Sequence, residues 1–255
     1  GYNQKYDQLL SEMEDGSYQG LYSVETPSIK LPTLTREGYI FGGWYRSDSN
    51  TRVTSINKGS TGDVTLYAKW TPIKYNVLYN ANGGTGKMTS TSGVEYDASF
   101  ILPKAVFTRK GYTFAGWNTK ANGSGLSYED KEEVRNLLNR SGNITLYAQW
   151  TPIVYSVSYD SKGADIEADN PSQYNITTPS ITLKNPSRNG YSFAGWYRSD
   201  TNTRITSIAK GSTGNLSLYA KWNVVKYTIK YNLNYGKNPA GSPSRGGCSC
   251  RSMPS

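Results

Sequence analysis

Along most of the chain apolar and polar residues alternate with a period of two, the pattern of strands that turn one face to a core. In Thr65-Leu66-Tyr67-Ala68-Lys69-Trp70, Leu66, Ala68 and Trp70 share one face, and Thr65, Tyr67 and Lys69 the other. The same Leu-Tyr-Ala-x-Trp string returns at residues 146–150 and 218–222. A second string, Gly-Tyr-x-Phe-(Gly/Ala)-Gly-Trp, occupies residues 38–44, 111–117 and 190–196. A third has alternating aromatics ahead of a Gly turn: Tyr75, Val77 and Tyr79, then Tyr155, Val157 and Tyr159, then Tyr227, Ile229 and Tyr231. The repeating unit is therefore an aromatic strand, a turn, a Gly-aromatic strand, a connection and a Leu-Tyr-Ala-x-Trp strand. Its expected core is Phe41, Trp44, Leu66 and Trp70; then Phe114, Trp117, Leu146 and Trp150; then Phe193, Trp196, Leu218 and Trp222.

The paired tryptophans stand 26, 33 and 26 residues apart, so the middle unit carries seven extra residues. They fall within residues 127–140, where Val134, Leu137 and Leu138 sit at i, i+3 and i+4 behind Glu129, Asp130, Glu132 and Glu133. That spacing, with acids at the front, predicts an amphipathic helix near 128–140. Units 1 and 3 carry near-identical turn-rich crossings there, residues 51–62 and 203–214. Residues 1–17 place Tyr6, Leu9, Leu10 and Met13 at helical spacing, as a helical segment or an incomplete repeat start. The expected organisation is 18–72, 73–152 and 153–223 for three repeats, 224–240 for the first strand of a further one, and 241–255 for a disordered Gly/Pro/Ser/Arg tail.

Composition narrows the chemistry. Leu, Ile, Val and Phe make up about 18% of the 255 residues, a level at which disorder competes with folding. Twenty-two Tyr and six Trp reverse that, because each ring buries on the order of 150–250 Å². With no histidine, Ser/His/Asp and Cys/His catalysis and histidine metal sites are excluded. The two cysteines, Cys248 and Cys250, lie together in the tail and cannot staple a core. No apolar run reaches the length of a membrane-spanning helix. The net charge of +9 brings polyanions into view. The basic residues are spread singly, which argues for a solvated face that keeps strand edges apart and against a nucleic-acid groove.

Together the three strings resemble the Listeria–Bacteroides repeat, also called the internalin B B-repeat, over residues 18–236. The resemblance implies a β-rich α+β fold of tandem small β-grasp-like (ubiquitin-like) repeats, on secreted or wall-anchored bacterial proteins, with roles in spacing, adhesion and host-surface contact and no catalysis or cofactor. Short Thr-Pro junctions at 71–72 and 151–152 argue for a semi-rigid rod on the order of 100 Å. The expected function is a non-catalytic stalk or adhesion region. Its expected partners are host-surface or cell-wall glycans and polyanions, neighbouring repeats, or other copies of itself, with no nucleic acid and no membrane span. Pairing of the 224–235 strand with unit 1 of another molecule would make it a self-assembling fibre unit.

The candidate ligand residues are Tyr45, Arg46, Asp48 and Arg52, repeated as Tyr197, Arg198, Asp200 and Arg204. A Tyr beside Arg and Asp can stack on a sugar and bond its hydroxyls, or clamp an anion. The same residues equally make a turn held by an Asp/Arg pair. Unit 2 has Asn118-Thr119-Lys120 there. Asp48, Asp160, Asp165 and Asp200 lack the spacing of a calcium loop, so no metal is expected. Glu132 with Glu133, and Glu12 with Glu14, read as solvated acids and not as a glycosidase pair.

Overall fold

The computed structural model describes residues 10–12, 18–230, 232, 234 and 236–237. Repeat 1 contains β1 (Leu10–Glu12), β2 (Tyr18–Gly20), β3 (Ile29–Lys30), β4 (Tyr39–Arg46), β5 (Arg52–Val53), β6 (Ser55–Ile56) and β7 (Leu66–Pro72). Repeat 2 contains β8 (Lys74–Asn80), β9 (Thr91–Glu95), β10 (Ser99–Ile101), β11 (Tyr112–Asn118), β12 (Ser127–Tyr128), β13 (Glu133–Arg135) and β14 (Gly142–Pro152). Repeat 3 contains β15 (Tyr155–Asp160), β16 (Gln173–Tyr174), β17 (Ile181–Thr182), β18 (Tyr191–Arg198), β19 (Arg204–Ile205), β20 (Ser207–Ile208) and β21 (Leu216–Val224). The chain forms two compact bodies, residues 1–153 and 154–255.

Repeats 2 and 3 share one plan. A five-stranded sheet, ordered β12-β11-β14-β8-β9 or β16-β15-β21-β18-β19, accompanies a two-stranded ribbon, β10-β13 or β17-β20. The Leu-Tyr-Ala-x-Trp strand is central, antiparallel to the Gly-aromatic strand on one side and parallel to the aromatic strand on the other. Period two then sends alternate residues inward. Tyr75, Val77, Trp117, Leu146 and Ala148 are buried in repeat 2, and Val157, Trp196, Leu218 and Ala220 in repeat 3. Phe114 and Phe193 pack edge-on against those tryptophans, at centroid distances of 5.0 and 5.6 Å. Trp44 Nε1 and Trp196 Nε1 donate to the carbonyls of Pro32 and Lys184 at 2.7 and 2.9 Å. Trp117 Nε1 is buried without a partner.

The expectation of an α+β, β-grasp-like fold is overturned, because the described residues contain strands and no helix. The predicted helix at 128–140 is instead the end of β12, a turn, β13 and a run of bends leading into β14. Two left-handed residues, Lys131 (φ 63°) and Asn136 (φ 56°), interrupt any right-handed helix there. β-Branched Val134 pairs across the ribbon with Phe100. Val134, Leu137 and Leu138 do reach the core of repeat 2, but from a strand and the bends that follow it. At the N-terminus Leu10 lies in β1, which pairs with β2, so it is strand and not helix. Tyr6, Leu9 and Met13 lie outside the described residues, as does the tail from 241 onward.

Repeats 1 and 2 meet within the first body. Tyr39 Oη donates to Asp97 Oδ2 at 2.7 Å, and the Tyr39 and Tyr96 rings meet edge to face at 5.9 Å. Asn136 holds Asp97 from the other side, its Oδ1 accepting the Asp97 amide and its Nδ2 donating to Asp97 Oδ1 at 2.8 Å. The side-chain hydrogen bonds from Asn136 and from Tyr39 keep the Asp97 carboxyl below its ordinary pKa. Asn139 Nδ2 donates to Glu37 Oε1 at 2.9 Å. The linker residue Ile73 is buried, bonding Gly38 through its amide and Tyr96 through its carbonyl.

Candidate functional site

In each of repeats 1 and 3 the candidate residues converge on an outward platform of their own. Arg46 ends β4, and a tight turn follows in which the Asn50 amide donates to the Arg46 carbonyl at 2.9 Å, with Asn50 left-handed at φ 53°. The Arg46 amide then donates to the Thr51 carbonyl at 3.0 Å and launches β5. Across the turn the Arg46 guanidinium grips Asp48 with both ends of its fork, Nε to Oδ1 at 3.0 Å and Nη2 to Oδ2 at 2.8 Å. Those bonds hold the exposed Asp48 carboxyl at a pKa of about 2. Arg52 lies against the backbone at Gly43, so closely that a Cβ there would stand 2.5 Å from its Nε.

Repeat 3 reproduces the arrangement. Arg198 Nε and Nη2 donate to Asp200 at 3.0 and 2.7 Å, and the Asp200 carboxyl also rests at about 2. The Asn202 amide donates to the Arg198 carbonyl at 2.9 Å. Arg204 packs against Gly195 as Arg52 does against Gly43.

Three further residues complete each platform, and sequence reasoning left them out. Tyr67, Lys69 and Asn50 join Tyr45; Tyr219, Lys221 and Asn202 join Tyr197. The Tyr45 and Tyr67 rings lie 6.1 Å apart and tilted by 35°, those of Tyr197 and Tyr219 6.0 Å apart at 33°. Lys69 Nζ sits 4.0 Å from the Tyr45 centroid, and Lys221 Nζ 3.9 Å from that of Tyr197, within cation–π range. Each ammonium also donates to the asparagine oxygen, at 2.7 and 2.9 Å, and Tyr67 and Tyr219 donate their hydroxyls to the same atoms. The signal for these partners was the alternation itself, which puts Tyr67 and Lys69 on the face opposite Leu66, Ala68 and Trp70.

Repeat 2 has no such platform. Asn118 takes the tyrosine position and turns inward, fully buried. Its Nδ2 donates to the Gly123 and Gly125 carbonyls and to Ser127 Oγ, and its Oδ1 accepts the Lys120 and Gly125 amides. It is the keystone of the 119–126 loop. The acids are engaged locally: Glu132 Oε2 accepts the Glu129 amide, Glu133 Oε1 the Ser99 hydroxyl, and Asp160 pairs with Lys162. Among the described residues no group of three Cys, Asp or Glu side chains is placed to hold a metal ion, and no helix is long and apolar enough to cross a membrane. The platform offers paired tyrosine rings, a locked ammonium and an ion pair, which are groups for recognition or for bracing a turn.

The sequence profile of the Listeria-Bacteroides repeat domain matches the chain three times, over residues 11–69, 75–149 and 155–221. A putative Gly-rich membrane protein of Evansella cellulosilytica is 32% identical over 216 residues, covering 80% of this chain and 24% of its own length. A putative membrane protein of the same organism is 28% identical over 228 residues, 86% of this chain and 31% of its own. Internalin H of Listeria monocytogenes is 38% identical over 129 residues, 48% of this chain and 21% of its own. The chain thus spans less than a third of each of these relatives. No solved structure matches it.

Proposed function

The chain belongs to the Listeria–Bacteroides repeat family, and from that premise we propose that it is a non-catalytic spacer and adhesion region of a bacterial secreted or cell-surface protein. The observation that carries this reading is the bonded junction between repeats 1 and 2. A linker residue buried at position 73, a carboxylate bridging to Tyr39 and an aromatic pair make two modules behave as one body, as a spacer requires. The putative membrane proteins and the internalin among its relatives support a cell-surface setting. Replacing these residues in the full-length protein by an unrelated spacer of equal length tests the reading. Restored cell attachment would leave spacing as the role, and lost attachment would assign adhesion to the repeats themselves. Lost attachment with the replacement still displayed at normal density would sink the pure spacer reading.

The duplicated platform favours a second reading, glycan or polyanion binding through Tyr45, Arg46, Asp48 and Arg52 and through Tyr197, Arg198, Asp200 and Arg204. The two copies keep the same ring separations and the same lysine positions, which bracing alone also explains. Binding to neutral, sialylated and sulfated glycans at two salt concentrations separates them. Binding abolished by Tyr45→Ala with Tyr197→Ala supports recognition, and steep weakening with salt marks it as charge-led. No binding at either salt leaves the platforms as turn braces.

A further inference from the structure

The order of the strands decides how repeats 2 and 3 carry tension along the chain. In each, the first strand and the last are parallel neighbours: β8 lies on β14, and β15 lies on β21. A pull that enters repeat 2 at Lys74 and leaves at Pro152 therefore acts on opposite ends of one ladder. It draws β8 and β14 past each other along their length, and the facing pairs from Gly142 with Tyr75 to Tyr147 with Asn80 are loaded together. An antiparallel hairpin pulled at its two free ends is loaded one rung at a time, and its bonds break in sequence.

The plane of shear is sheltered and cross-braced. Tyr75, Val77 and Leu146 are buried on the repeat 2 ladder, and Val157, Leu216 and Leu218 on that of repeat 3, where hydrogen bonds are stronger than in water. Asn76 Nδ2 donates across the first ladder to Asn143 Oδ1 at 2.9 Å, and Ser158 Oγ across the second to Ser217 Oγ at 3.0 Å. Beyond the last rung the strands are tied again. Trp150 Nε1 donates to the Ala81 carbonyl at 3.0 Å, and Trp222 Nε1 to the Ser161 carbonyl at 2.9 Å.

The two ladders differ in length. Repeat 2 has six facing pairs, and Asn82 Nδ2 adds a bond to the Ala148 carbonyl at 2.9 Å. Repeat 3 has four facing pairs, and Lys162, at the position of Asn82, turns its ammonium to Asp160 instead.

We propose that the paired first and last strands of repeats 2 and 3 are mechanical clamps that let the chain bear tension without unfolding, graded so that repeat 3 yields before repeat 2. The proposal deepens the spacer reading and rests on it for the source of the load. Single-molecule stretching of the full chain, in a Cys248→Ser, Cys250→Ser background, tests it. Handles at Lys74→Cys and Thr151→Cys load the repeat 2 ladder in shear; handles at Lys74→Cys and Arg140→Cys load it from one end, because Gly142 faces Tyr75. All three positions are exposed. At equal force repeat 2 is expected to unfold at least about tenfold faster from the one-end pair, the factor given by a barrier lower by one net hydrogen bond. Pulled through its two ends, the chain is expected to lose repeat 3 before repeat 2. Asn82→Gly, which suits the left-handed backbone at 82, is expected to accelerate the repeat 2 step alone, and Ser158→Ala the repeat 3 step alone. Equal rates from the two handle pairs, or repeat 2 yielding before repeat 3, overturn the proposal. Because the instrument supplies the load, a clamp that fails here leaves the spacer reading standing, whereas failure of that reading shows in the replacement experiment.

Discussion

The ring of Tyr96 lies flat on the backbone of Gly38, so close that a Cβ at residue 38 would stand 2.2 Å from it. Gly190 has the same φ of 76° in repeat 3, with open space over it. The two glycines therefore separate backbone strain from crowding. Gly190→Ala is expected to cost about 1–2 kcal/mol for a left-handed alanine. Gly38→Ala is expected to cost roughly 1–3 kcal/mol more, because the Tyr96 ring must leave its seat. Urea unfolding gives the difference, and faster hydrogen exchange at the Ile73 and Tyr96 amides would place it at the junction. Equal costs would mean that Tyr96 does not lock the repeats.

The turns of the two platforms respond to acid. Asp48 and Asp200 have carboxyls held at about 2 by the Arg46 and Arg198 forks, against an ordinary value of about 3.9. A depressed folded pKa stabilises fully above the unfolded value, and that contribution is lost as pH falls from about 3.9 through about 2. Carboxyl chemical shifts should titrate with midpoints near 2, and Arg46→Ala should return Asp48 to the ordinary range while leaving Asp200 unmoved. Ordinary midpoints in the unaltered chain would show that the forks open in solution.

Asn118 is a stability determinant of repeat 2. Asn118→Ala removes an amide that satisfies five loop and strand groups and leaves the part-buried Lys120 and Gly125 amides without their acceptor, at up to about 1–3 kcal/mol for each. Denaturant melts should show a loss of at least about 2 kcal/mol, with exchange accelerated across residues 119–126. The change at the matching position of repeat 1, half-buried Tyr45→Ala, should cost less.

The tryptophan indoles differ in one atom's fate. Trp196→Phe sacrifices the bond to the Lys184 carbonyl, whereas Trp117→Phe removes an N–H that had no acceptor. Both lose ring volume, so Trp117→Phe should be milder by about 1 kcal/mol. The reverse order in paired thermal melts would show that Trp117 Nε1 is satisfied in solution.

Much of this fold was written in the alternation. The three strings became the three long strands of each complete sheet, since their inward residues carry rings large enough to define a core without help from the connections. The connections were less legible. Val134, Leu137 and Leu138 reach the core as a helix would bring them, and only the left-handed turns at Lys131 and Asn136 decide against it; asparagine tolerates that conformation, but nothing in a three-residue periodicity demands it. The platform was half legible. Arg46 and Asp48 are two residues apart and advertise their pairing, whereas Lys69 and Asn50 are 19 apart and meet only through the register of β4 with β7.

Repeats 1 and 3 have nearly the same sequence from Tyr45 to Trp70 and from Tyr197 to Trp222, and the divergent repeat 2 stands between them. Like modules side by side are the ones most prone to trade strands while folding, since each offers the other's sheet an equally good partner. Interleaving an unlike module keeps the interchangeable pair apart along the nascent chain and gives the first copy a fixed neighbour through Tyr96 and Asp97 before the second emerges. A permuted chain with the two alike copies adjacent is expected to refold with a lower yield of monomer than the natural order.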